Sequence, residues 1–398
     1  MIWYKLFSKQ KSFLLSILTL FLVSCNTSSY ISGKLEGTTK EGVTIYLIKP
    51  NNLKEIAASY FGKVIDSALT DANGYFKFEN TPKTTEPLLL ELALKQSNKS
   101  PNYLNTYNPI LSNYMPVLWQ QGETIKVKTT TKNFQKNFII ENPSETNKAL
   151  LKLRDINLKA YETYLYEKKW HLENGNQLLD KEHAVLQYQT ALMNFANDTE
   201  HLMSALIALR WASPQNDYER IPEFLVSQCQ KWNKIQPDHI WVKQLCEQSK
   251  PSKLPVLIGD EFPDVKLPTI TKDTISLKNQ LGKKITIVDL WASWCAPCRI
   301  ENREILVPLW EAYHNQGLQI VAYALESSEK SWQAATDKDG AIRWLNVSEL
   351  QGDNTSFLNK IRVQTIPANF ILNDKGIVVA KNLHGEALKQ WVKDYLEK

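Results

Sequence analysis

Along the first third of the chain, apolar residues alternate with polar ones. In Val43-Thr44-Ile45-Tyr46-Leu47-Ile48, the side chains of Val43, Ile45 and Leu47 share one face of a strand. Tyr75-Phe76-Lys77-Phe78 and Thr124-Ile125-Lys126-Val127-Lys128 repeat the alternation, the first just after the turn signal Asp71-Ala72-Asn73-Gly74. Asp71 and Asn73 suit calcium, but the rest of an acidic loop is missing, so a hairpin turn is the reading adopted. Residues 25–142 are therefore predicted to be a β-rich domain.

From residue 143 the period changes to that of helices. A run after Ser144-Glu145-Thr146-Asn147 passes through Leu150, Leu151, Leu153, Ile156, Leu158 and Tyr161 and breaks at Gly175. Further runs cover Leu178 to Phe195 and Leu202 to Trp211. Pro222 opens a helix reaching Trp232, and Pro237-Asp238 starts one reaching Cys246. Apolar residues at this spacing are core, so residues 143–250 are predicted to form a helical domain. Lys250-Pro251-Ser252-Lys253-Leu254-Pro255 is a linker. Residues 256–398 then alternate strand and helix, which predicts an α/β domain around a central sheet. Its strands are Ile285 to Leu290, Leu318 to Leu325, and a hairpin of residues 369–372 and 377–379. Cys298 to Asn315 and Leu388 to Leu396 are its clearest helices.

The chain has 398 residues, 43% apolar and 22% charged. That excludes a wholly disordered or collagen-like protein and leaves room for two or three domains. Lys and Arg number 47 against 42 Asp and Glu. Three of the positives, Lys5, Lys9 and Lys11, lie in the first 24 residues, which hold no acid. Without them the surplus falls from five to two, so the basic balance gives no ground for nucleic-acid binding. Five cysteines are too few for a disulfide-dense scaffold.

Those lysines precede an apolar stretch from Phe13 to Val23, within signal-peptide length and too short to span a bilayer. It ends in Leu22-Val23-Ser24-Cys25, which resembles the lipobox of bacterial lipoproteins. The resemblance implies cleavage after Ser24 and lipidation of Cys25. The other reading is an ordinary signal with a chance cysteine. Residues 26–30 form a short polar tether. Asn26 is not an aspartate of the inner-membrane retention type, and no acidic run follows Cys25, so the leaflet stays open.

The segment Asp289-Leu290-Trp291-Ala292-Ser293-Trp294-Cys295-Ala296-Pro297-Cys298 carries the chemistry. Cys295 is placed at a helix start, where unsatisfied N–H groups favour the thiolate, which makes it the nucleophile. Cys298 follows nearly one turn later on the same face, close enough to form a disulfide and resolve an intermediate. Pro297 is tolerated early in the helix, and Ala296 and Pro297 tune the pair's potential. Zinc would need two more ligands, and His314 and His384 stand alone in sequence, so no metal is expected.

Here the chain resembles the thioredoxin superfamily, in particular the membrane-tethered disulfide reductases of the TlpA/ResA type, over about its last 140 residues. The resemblance implies that Thr365-Ile366-Pro367 is the family's cis-proline loop, with Pro367 beside the cysteines and the Ile366 backbone reading the substrate. It makes Asp289 the buried acid that passes a proton to Cys298, although the neighbouring strand Ile320 to Leu325 lacks the usual lysine. It puts Trp294 against the substrate and Trp291 in the core. Glu301 fits the glutamate of tethered relatives, with Arg303 where they carry proline. Two roles stand for it, tuning the thiols or facing solvent. The β-rich segment is similar to the sandwich module of Bacteroidetes thioredoxin-like lipoproteins. Peroxiredoxins share the fold, but their Pro-x-x-x-Thr-x-x-Cys arrangement is absent around Cys295.

Cys229 and Cys246 lie on opposite arms of a predicted helical hairpin at similar heights, so a disulfide between them is sterically open. The alternative is two buried free thiols, and an oxidising envelope favours the bridge. The expected protein has three parts: β-sandwich, helical region and C-terminal α/β thioredoxin fold. It is an envelope thiol–disulfide oxidoreductase that needs no cofactor. Its expected partners are disulfide-containing envelope proteins, a membrane electron donor and the membrane itself through the lipid. The rivals are a binding lipoprotein whose N-terminal domains capture a ligand, and a thiol-dependent peroxidase.

Overall fold

The computed structural model describes residues 29–170 and 177–397. The signal segment, Cys25 and Gly175 lie outside the described residues.

Among the described residues eight strands come first: β1 Tyr30–Glu36, β2 Thr44–Lys49, β3 Lys63–Leu69, β4 Tyr75–Lys77, β5 Leu88–Leu94, β6 Tyr114–Trp119, β7 Thr124–Thr130 and β8 Ile139–Glu141. They make two four-stranded sheets, ordered β4-β1-β7-β8 and β3-β2-β5-β6. β7 shows why alternation was legible there: Ile125 and Val127 point into the core while Lys126 and Lys128 face water. Tyr30, assigned to the tether by its polar neighbours, instead opens β1, paired in parallel with Thr124.

Among the described residues five helices follow: α1 Glu145–Tyr164, α2 Leu178–Asp198, α3 Leu202–Ala212, α4 Pro222–Ile235 and α5 Ile240–Gln248. α5 begins later than its Pro-Asp signal suggested, because the ring of His239 accepts the Trp241 N–H and caps it there. α3 is buried along nearly its whole length and fastens helices to sheets. Its Arg210 donates to the Ile56 carbonyl at 3.0 Å, and Trp211 donates to the Tyr114 hydroxyl at 2.8 Å. Asn147 on α1 both accepts from Leu118 N–H and donates to its carbonyl. Buried apolar residues from Ile31 to Leu254 thus form one continuous core across sheets and helices. Burial pushes the Glu91 carboxyl up to about 8, and its Oε1 accepts the Ala57 N–H at 2.7 Å.

The C-terminal region has its own core. A two-stranded hairpin, β9 Lys266–Pro268 and β10 Thr274–Ser276, precedes the central strand β11 Ile285–Trp291. Next come α6 Ala296–Glu301, α7 Val307–Tyr313, β12 Leu318–Ala324, α8 Glu329–Lys338, β13 Leu345–Val347, α9 Ser356–Ile361, β14 Ala368–Asn373, β15 Val378–Lys381 and α10 Gly385–Leu396. The sheet order is β13-β12-β11-β14-β15, with β14 and β15 antiparallel to their neighbours. The helix expected from Cys298 to Asn315 begins at Ala296 and passes through a π-helical segment, Asn302–Leu306, before α7.

Cys229 and Cys246 are joined across α4 and α5 with Cα atoms 4.9 Å apart. The bridge closes a loop with a sequence separation of 17, for which chain entropy gives about 3 kcal/mol. Replacing both cysteines by alanine should lower the unfolding free energy by about that amount in urea titrations. Equal stability would mean that the hairpin gains nothing from its bridge.

Candidate active site

The site lies where β11 ends. Seven successive buried residues make β11 the middle of the sheet, paired with β12 on one side and β14 on the other. Four residues beyond its last residue, Cys295 caps α6, and its sulfur accepts the Cys298 N–H at 3.3 Å. The structure holds the oxidised state, with Cys295 and Cys298 bonded. Both sulfur-bearing residues are nearly covered, Cys295 at 5% exposed and Cys298 at 2%. Arg299 fixes the motif from behind, donating to the Ser293 carbonyl at 3.1 Å and to the buried Asp339 carboxylate at 2.9 Å.

Ala368 pairs with Leu290, so the residues just before β14 fall beside the end of β11. They include the cis peptide Ile366-Pro367. Trp294 is 64% exposed next to the cysteines, whereas Trp291 is fully buried. Pro297 is buried and Ala296 is exposed.

Asp289 sits in mid-strand, 4% exposed, opposite Ala322 on β12 and Asn369 on β14. Burial, and after it the Glu301 carboxylate, push Asp289 well above the usual carboxylate range. Glu301 faces inward and is 2% exposed, so of its two readings solvent exposure does not hold. Its carboxylate lies 2.9 Å from His384 Nδ1 and accepts the Gly385 N–H at 3.1 Å. His384, isolated in sequence, is thus the partner of the acid behind the motif. Its only sequence signal is its place just before a closing amphipathic helix.

Two further residues were not singled out in sequence. Glu219 and Arg220 lie just before α4. The Glu219 carboxylate accepts the N–H groups of Gln364 at 3.1 Å and Thr365 at 3.0 Å. Arg220 donates to the Pro367 carbonyl and to Asn382 Oδ1, both at 2.9 Å. Nearby, Glu223 pairs with the buried Lys381 ammonium at 2.7 Å. Burial lifts Glu219 above its ordinary range and lowers Lys381 below its own. Among the described residues, no group of three or more His, Cys, Asp and Glu is placed to hold a metal ion. No helix there is long and apolar enough to cross a membrane.

A strand that delivers a helix-capping dithiol, with a cis-proline turn alongside, defines a redox protein of thioredoxin fold. Residues 258–381 match the family model described as AhpC/TSA. The chain is 31% identical over 150 residues to the thiol:disulfide interchange protein DsbE of Pseudomonas aeruginosa, a stretch covering 35% of this chain and 75% of that one. It is 29% identical over 133 residues to the sporulation thiol-disulfide oxidoreductase A of Bacillus subtilis, with coverage of 32% and 77%. A solved thioredoxin domain of a thiol-disulfide oxidoreductase from Bacteroides vulgatus is similar at 23% identity and a TM-score of 0.33, covering 35% of this chain and 99% of that one. The chain belongs to the family of thioredoxin-like thiol–disulfide oxidoreductases.

The Asp289 carboxyl should leave a mark on stability. The unfolded chain ionises it at about 3.9, and the fold favours its protonated form. Stability from this group is therefore full below that value and is lost as pH rises, with a slope of about 1.4 kcal/mol per pH unit until the folded group ionises. Asp289→Asn removes the slope. Urea unfolding of both oxidised proteins between pH 4.5 and 7 should show the variant gaining on the wild type as pH rises. A constant difference would mean that Asp289 titrates alike in both states.

Proposed function

We propose that this oxidoreductase reduces disulfides of envelope proteins and works as a lipid-anchored lipoprotein. The mature chain would begin at Cys25, after a signal segment of residues 1–24. Residues 25–142 would be a sandwich module, 143–250 a helical one and 256–398 the catalytic domain. The observation that carries the redox reading is Cys295 capping α6 with the Cys298 N–H on its sulfur, since the same donor steadies a thiolate.

In the reducing direction, the Cys295 thiolate attacks one sulfur of the partner's disulfide. A Cys295–partner bond forms, and the other partner sulfur leaves as a thiolate that takes up a proton. Cys298, deprotonated, then attacks Cys295 Sγ. The Cys295–Cys298 bond forms, and the second partner thiolate departs. Two electrons have passed to the partner, and a membrane dithiol donor restores the pair by the reverse exchange. Asp289 exchanges the Cys298 proton, a task that suits a buried acid with raised proton affinity. Glu301, held by His384, sets the charge behind the pair. Trp294 and the Ile366-Pro367 backbone receive the partner chain.

Cys295→Ser should lower turnover of a protein disulfide by more than about a hundredfold with an unchanged circular dichroism spectrum. Cys298→Ala should instead accumulate partners linked through Cys295, visible on non-reducing gels of cell extracts. Full activity in Cys295→Ser would reassign the nucleophile. Cys25→Ala should move the protein from the membrane pellet to the soluble fraction. If it still pellets after a carbonate wash, the lipid anchor is wrong.

A further inference from the structure

An unpaired strip of backbone beside a redox disulfide invites an extended chain to add itself as a strand. The strip here is residues 364–367, and most of it is already taken. Glu219 holds the N–H groups of Gln364 and Thr365. Arg220 holds the Pro367 carbonyl. Beyond Pro367 the chain enters β14, which is flanked by β11 and β15. Ile366, half-buried, is left with its main-chain donor and acceptor unengaged among the described residues. The N–H groups of Gln364 and Thr365 meet the same carboxylate, so the chain bends here, and a partner extending past Ile366 finds the neighbouring donors spent.

We propose that Glu219 and Arg220 are specificity-determining residues that restrict backbone pairing with the substrate to Ile366 alone. The class of substrate this favours is a disulfide in a chain that turns away at its cysteine, as in the loops of folded proteins. Long extended segments gain nothing from their added length. The inference rests on the oxidoreductase reading and concerns only which disulfides reach Cys295. Neither residue touches the sulfurs, so each acts by positioning and masking backbone groups. The space needed for a longer ladder is present. An open crevice of about 920 Å³, lined among others by Tyr218, Glu219, Leu254, Arg362 and Gln364, adjoins the masked donors. Removing the Glu219 carboxylate would free the N–H groups of Gln364, which lines the crevice, and of Thr365 beside it.

The test uses the full chain and two peptides, a tripeptide and a heptapeptide, each with a central cysteine in mixed disulfide with glutathione. For the wild type, kcat/KM should be the same for both within about twofold. In Glu219→Ala the heptapeptide should gain about tenfold over the tripeptide, through KM and not kcat, because two backbone donors become available. Glu219→Gln keeps one of the two acceptor oxygens, so it still masks one N–H group and should raise the ratio by less than Glu219→Ala. The proposal is overturned if Glu219→Ala keeps that ratio, if Glu219→Gln raises it as much, or if the wild type already prefers the longer peptide tenfold. A wild type that reduces neither peptide would instead count against the reductase reading, so the two failures are distinguishable.

Discussion

The site depends on burying one strand on both faces. β11 has no exposed residue, and its two neighbours take up its backbone donors and acceptors. Such a strand holds mainly what an apolar interior tolerates, and burial of Asp289 there favours its protonated form. The same strand ends where Cys295 begins its helix and where residues 366–367 arrive through β14. The acid, the dithiol and the proline turn therefore keep their relations through one rigid element and need no flexible loop to assemble them.

Much of this was legible in the sequence because the relevant signals are local. The Cys-Ala-Pro-Cys segment follows a continuous apolar run, which is how a strand buried on both faces reads. The alternating strands β4 and β7 were legible for the opposite reason, since one face of each meets water, and β2 because one face is only partly covered. β5 and β6 escaped notice because nearly every residue in them is buried, so period two disappears. The pairing of Glu301 with His384 spans 83 positions and leaves no spacing to read. Glu219 and Arg220 sit in a polar stretch before a helix, and three of their bonds go to backbone groups of the C-terminal domain. Backbone positions have no letter in a sequence, so such contacts emerge only from the fold.

The contact between α4 and the catalytic domain also explains why a short polar stretch can organise an interface. The Glu223–Lys381 pair is buried on its lysine side, where an ion pair is screened less than at the surface. Arg220 adds a planar fork that reaches a side-chain amide and a main-chain carbonyl together. Each bond fixes orientation as well as distance, which suits a contact that masks particular backbone atoms.

The shared core of the sheets and helices has a mechanical consequence. Because β1 to α5 pack around one interior, they cannot bend against one another, and α4 fastens that body to the redox domain. The body then acts as a rigid standoff. Whatever holds β1 therefore also fixes the distance and direction at which the dithiol meets a partner.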